Sequence, residues 1–200
     1  CRSIEFHAGD SLLYVGSQGE FGYFDLTEYP LNYTSLLDRI PSEYRKFSDV
    51  WDMVIFNEEL YFWSDQSIYK YNGDSCAVYP LEAKISFMSK VDDKIVFNQR
   101  DSELYTLEND VIKPLETSLG DESIKWMDIV DLPGEGHLLL SERAGIYQYT
   151  PKGYRRWQTN SEEILGNSML RMDYHWKEKN LIGIDTFLSL VLLFDDHGVL

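Results

Sequence analysis

Arg100 and Arg143 each sit in a short polar stretch between two apolar runs, Gln99-Arg100-Asp101 and Glu142-Arg143-Ala144. The corresponding stretches elsewhere are Gln18-Gly19-Glu20, Asp65-Gln66 and Asp185-Thr186-Phe187. Planar guanidinium and amide groups suit paired hydrogen bonding to sugar hydroxyls or carboxylates. Trp63, just ahead of Asp65-Gln66, adds an aromatic surface. The candidate ligand-binding residues are therefore Gln18, Glu20, Trp63, Gln99, Arg100, Glu142 and Arg143. Ordinary turn chemistry accounts for any one of the polar residues, and core packing for Trp63; the recurrence of the set is the signal.

Other chemistry is thin. The sequence carries no G-x-S-x-G, P-loop or H-E-x-x-H motif. His7, His137, His175 and His197 share no repeated spacing, and acidic pairs such as Asp92-Asp93, Glu162-Glu163 and Asp195-Asp196 fall in turns where solvation explains them. The expectation is a chain that is not an enzyme and holds no cofactor and no metal.

The elements that must position these residues come in five copies. Runs such as Val50-Trp51-Asp52-Met53, Leu60-Tyr61-Phe62-Trp63 and Ile68-Tyr69-Lys70-Tyr71 recur along the chain. Corresponding positions Phe6, Met53, Met88, Met127 and Met172 lie 47, 35, 39 and 45 residues apart. A drifting period near forty with three or four short strand-like runs per copy is the mark of propeller blades. Helical repeats would show apolar spacings of three and four, and none appears.

The reading is an all-β chain, a single β-propeller segment of five four-stranded antiparallel blades at residues 1–36, 50–82, 85–117, 124–160 and 169–200. In the second copy the strands are Val50–Phe56, Glu59–Ser64, Ser67–Asn72 and Cys76–Leu81, joined by Asn57-Glu58, Asp65-Gln66 and Asn72-Gly73-Asp74. These are hairpin turn residues. The third copy's inner strand is placed at Ile85–Val91. The last blade is expected to lack most of its outer strand, so the five copies read as an arc of a larger ring, with a self-contained five-blade ring as the alternative. In a meander, the second-to-third-strand turns share an end of the blade with the blade-to-blade connections, which gathers the candidate residues on one face. Trp51 and Trp126, which begin inner strands, and the methionine row are read as packing between blades.

Net charge is −16, with hydrophobic residues at 44% and aromatic at 14%. Such a surface repels phosphate backbones and anionic lipid, so neither nucleic acid nor membrane contact is expected of this segment. Cys1 and Cys76 are the two cysteines, which excludes a fold stapled by disulfides. Cys1 is either the lipid-bearing terminus of a processed lipoprotein or the first residue of a cut.

The stretch Tyr14-Val15-Gly16-Ser17-Gln18-Gly19-Glu20-Phe21-Gly22-Tyr23 resembles a blade of the two-component-regulator propeller family. Ile68-Tyr69, Leu104-Tyr105 and Ile146-Tyr147 echo the same blade, and Phe194-Asp195-Asp196-His197-Gly198-Val199-Leu200 fits the family's closing hairpin. The Gly-aromatic element is intact in the first copy alone, since Ser67-Ile68 and Glu103-Leu104 replace it in the second and third. That family supplies sensor regions to hybrid histidine kinases and to regulators with a triple-tyrosine domain and a helix-turn-helix output. The resemblance implies a non-catalytic, ligand-sensing propeller in the periplasm or outside the cell. Its ligand would be a glycan or a breakdown product, and its partners the remaining blades and output domain. The alternatives are a protein-interaction scaffold and a propeller-type glycan hydrolase or lyase.

Overall fold

The structure, a computed structural model, describes residues 1–99, 103–115, 124–132, 136–150, 153–167, 170–176, 181–186, 191–195 and 199. Its contacts divide the chain into two compact units, Cys1–Ile85 and Ser86–Leu200.

The first unit holds two sheets. One is built from β1 (Ser3–His7), β2 (Leu12–Ser17), β3 (Glu20–Asp25) and β4 (Tyr33–Ser35), each pairing antiparallel with the next. The other has β5 (Asp52–Phe56), β6 (Glu59–Ser64), β7 (Ser67–Tyr71) and β8 (Cys76–Pro80) in the same meander. Two short 3-10 turns, Leu37–Arg39 and Ser42–Tyr44, lie on the connection between them. The sheets bury Tyr14, Phe21, Val50, Met53, Phe62 and Tyr69 together. Phe62 is the hinge of this packing, with Phe21 at 4.4 Å on one side and Tyr69 stacked at 4.6 Å on the other. Alternation explains the arrangement, because every second residue of a strand faces the same side.

The turns do what their residues allow. Asn57 and Glu58 both take positive φ, as do Asn109 and Asp110. Two consecutive left-handed residues make the tight hairpin whose twist matches its strands. Gly73 supplies φ +93° in the next turn, and the Asn72 carboxamide oxygen accepts from the Asp74 and Ser75 amides.

The second unit holds three sheets. The first comprises β9 (Met88–Val91), β10 (Lys94–Gln99), β11 (Glu103–Glu108) and β12 (Val111–Pro114). Next come β13 (Trp126–Leu132), β14 (Gly136–Ser141), β15 (Ile146–Thr150) and β16 (Gly153–Arg156). A short helix α1 (Glu162–Asn167) leads to β17 (Leu170–Trp176), β18 (Leu181–Thr186) and β19 (Val191–Phe194), a three-stranded sheet among the described residues. All five sheets are antiparallel meanders in chain order, the form of propeller blades.

Three expectations need correction. The third blade's inner strand begins at Met88 and not Ile85. The Asn98 side chain takes the Ser86 and Phe87 amides at 2.8 and 3.1 Å, standing in for the strand ladder. The methionine row is broken by a bulge, since Trp126 opposes Ser141 and Asp128 opposes Leu140, which leaves Met127 as the extra residue. Phe6, at the row's first position, is 51% exposed. Finally, Trp126 is buried at 2% exposure while Trp51 is 45% exposed, so the packing role fits Trp126 and fails for Trp51.

Candidate functional site

The connection into the second sheet is stitched to the turn between β2 and β3. Gly19 donates to the Ser48 carbonyl at 2.7 Å, Val50 to that of Ser17 at 3.0 Å, and Gln18 bridges Asp49. In this unit the second-to-third-strand turn and the blade-to-blade connection therefore occupy one end, as a meander requires. The second sheet repeats the arrangement where Leu81 donates to Gln66 and Ile85 to Asp65.

That stitching places four side chains in a row. Arg2 is set by its amide bond to Gly16, and its Nε donates to Asp49 Oδ1 at 3.0 Å. The Arg2 guanidinium carbon lies 5.5 Å from the centre of the Trp51 ring, a cation–π distance. Trp51 is held by its amide to the Trp63 carbonyl, and the two indoles stack at 6.3 Å with planes 25° apart. Trp63 is buried at 6% exposure and braces Trp51, whose indole is exposed. The Arg2 side chain is 56% exposed and that of Asp49 only 16%, so the carboxylate is the anchored member of the pair.

Three buried polar atoms in the same segments lack a hydrogen-bond partner: Ser48 Oγ, Trp63 Nε1 and Ser64 Oγ. Buried polar groups are nearly always paired, with protein or with ordered water. Two carboxylates also sit on the neighbouring inner strands β1 and β5, Glu5 and Asp52. Burial pushes the Glu5 carboxyl above its usual range and the Asp52 charge adds to that, against a hydrogen bond from the Ile55 backbone.

The remaining candidates are placed differently. Glu20 Oε1 accepts from the Tyr33 hydroxyl at 3.0 Å and the Ser35 hydroxyl at 2.8 Å, which commits it to the outer strand. Gln99 is buried at the end of β10 opposite Glu103. Arg100 lies outside the described residues. Glu142 is paired with Lys125 Nζ at 3.2 Å, while Arg143 is exposed at the tip of a turn that Ser141 Oγ closes onto Gly145 and Ala144. Arg143, Glu142, Lys125, Ile124 and Ala144 line an open depression of about 400 Å³. Gln18, Glu20 and Trp63 belong to the first unit, and Gln99, Glu142 and Arg143 to the second.

Sequence reasoning missed Arg2, Asp49 and the exposed indole of Trp51. Their available signal was position, since Asp49 and Trp51 flank the point where a long connection becomes an inner strand. The histidines that the structure describes in full are pins between sheets. His7 lies between Glu58 at 3.1 Å and Asp10 at 3.3 Å, and His137 meets Asp92 at 3.2 Å. Among the described residues no group of three or more His, Cys, Asp or Glu is placed to hold a metal ion. No helix among them is long and apolar enough to cross a membrane.

No protein-family model matches the sequence, and no curated protein matches it significantly. Solved structures do match in fold. Virginiamycin B lyase from Staphylococcus aureus superposes with a TM-score of 0.69 at 12% identity, over 97% of this chain and 69% of that one. YCF48, solved bound to D1 peptide, gives 0.69 at 11% identity, over 98% of this chain and 64% of its own. The extracellular domain of a putative one-component system from B. thetaiotaomicron gives 0.63 at 14% identity, over 96% of this chain and 27% of that chain. These likenesses establish one thing about the chain: its fold is that of a β-propeller.

Proposed function

We propose that this chain is a non-catalytic recognition segment of a sensor propeller, acting outside the cytoplasm in a signal-transduction or transcription regulator. Its ligand is a glycan or a glycan fragment. The observation that carries the reading is the exposed indole of Trp51, braced by Trp63 and flanked by the Arg2–Asp49 pair. A flat aromatic surface beside polar groups is what a sugar ring needs, since its C–H face stacks while its hydroxyls bond at the edge. The likeness to an extracellular one-component-system domain supports the regulatory setting.

The second reading is a propeller-type hydrolase or lyase, and it rests on Glu5 and Asp52 on neighbouring inner strands, one with a raised pKa. A single experiment separates the two. Tryptophan fluorescence of the chain is titrated with neutral, acidic and amino-bearing oligosaccharides, and the recovered sugars are chromatographed. Saturable binding of at least one series without chain shortening is expected. The Trp51→Ala variant should lose roughly 1 kcal/mol or more of that binding, the scale of a ring stack. Product formation would hand the site to the hydrolase or lyase reading, and no binding by any series would end the sensing reading.

A further inference from the structure

We infer that the sugar read at Trp51 carries a protonated amino group, which takes the place of the Arg2 guanidinium on Asp49 while the ring covers the indole. This rests on the reading of Trp51 as a carbohydrate platform and names the ligand class of that same site.

Arg2 shows what the site complements. One cationic group already satisfies both halves at once, the carboxylate at 3.0 Å and the aromatic face at 5.5 Å. An amino sugar offers the same two features on one rigid frame, an ammonium for Asp49 and a C–H face for Trp51. The two members of the existing pair are unequal. Asp49 is the less exposed member, in the stitched connection, whereas the Arg2 side chain is more than half exposed. Displacing the arginine costs little, because its side of the pair faces solvent and screened pairs are weak.

The surrounding charge selects the same class. Asp52 follows the platform residue directly and is exposed, Glu5 lies on the adjoining strand, and the chain carries a net charge of −16. A uronate would bring another carboxylate into this field, while an ammonium would be drawn to it. A neutral sugar would stack on the ring but leave Arg2 where it is or strand Asp49 without its counter-ion.

The test uses the whole chain and three probes matched in length: glucosamine oligomers, their N-acetylated counterparts and galacturonate oligomers. The glucosamine series should bind tightest, and its affinity should fall as salt is raised. Arg2→Ala should tighten glucosamine binding by roughly three- to tenfold, since it removes a built-in competitor for the competent state. Asp49→Asn keeps the shape of the side chain and should weaken glucosamine binding by about tenfold, the scale of a lost charged hydrogen bond, and weaken the N-acetylated series far less. Tighter binding of N-acetylated or galacturonate oligomers, or weaker glucosamine binding by Arg2→Ala, overturns the inference and leaves the glycan reading standing. Binding by none of the three sinks both.

Discussion

Asn98 ties two consecutive sheets of the second unit together, its Nδ2 donating to the carbonyl of Trp126 at 3.2 Å with both residues buried. Its Oδ1 meanwhile accepts from the Ser86 and Phe87 amides. One fully buried carboxamide thus satisfies three backbone groups on two segments.

Replacing Asn98 with Leu keeps the volume and removes all three partners. The two amides and one carbonyl are left without this side chain, and the expected loss is roughly 3 kcal/mol, since each buried unpaired group costs about 1–3 kcal/mol. Urea unfolding with an unchanged slope is the measurement. A loss under about 1 kcal/mol would show that water or a backbone shift takes over those bonds.

Gly16 and Gly73 should respond very differently to alanine. A Cβ on Gly16 would lie 2.5 Å from Met53 Cε and 2.6 Å from Val50 Cβ, and the Val50 atom sits beside the backbone of the stitched connection. The expected cost is about 2–3 kcal/mol, the upper part of the roughly 1–3 kcal/mol that overpacking a filled core carries. At Gly73 nothing lies within 4 Å, and the cost comes from its φ of +93° alone. That penalty is about 1–2 kcal/mol at most. Thermal unfolding of both variants should therefore show the larger drop for Gly16→Ala, and a reversed order would mean that the connection gives way.

Glu162 predicts a pH dependence. Burial alone would raise its carboxyl, but hydrogen bonds from Arg156 at 2.7 and 2.9 Å and from the Thr159 amide at 2.9 Å, with the Arg156 charge, outweigh it and hold the group below its usual range. A carboxylate with a depressed folded pKa contributes stability above its unfolded pKa and loses it as pH falls through the folded one. Glu162→Gln should thus be less stable than the parent at neutral pH, with the gap closing under acid conditions. Since the pair is partly exposed, the neutral-pH gap should be about 1 kcal/mol or less. Denaturation midpoints across the acid range check this, and a gap that widens in acid would contradict it.

Much of the blade architecture was legible in the sequence. Glu59–Ser64 is a strand with the bounds that its alternation and flanking turn residues set. Those signals are local: period-two side chains and residues tolerant of positive φ act within a few positions of themselves. The inner strand of the third blade departs from its pattern because Asn98, ten or more residues onward, competes for its amides.

The candidate site was half legible for the same reason. Gln18 stands in a recurring turn position and Trp63 just ahead of one, and their place at one end of the blades follows from the meander. The partner of each side chain does not follow. Glu20 is absorbed by Tyr33 and Ser35, and Glu142 by Lys125, while Arg2 reaches Asp49 and Trp51 across some fifty positions. Trp51 directly precedes β5 and Trp126 opens β13, yet one is exposed and the other sealed. The chain determined its strands, turns and repeat from neighbours in sequence. Only the packing of sheet on sheet decided which aromatic faces water and which charges are spent, because burial and pairing depend on atoms that distant segments bring.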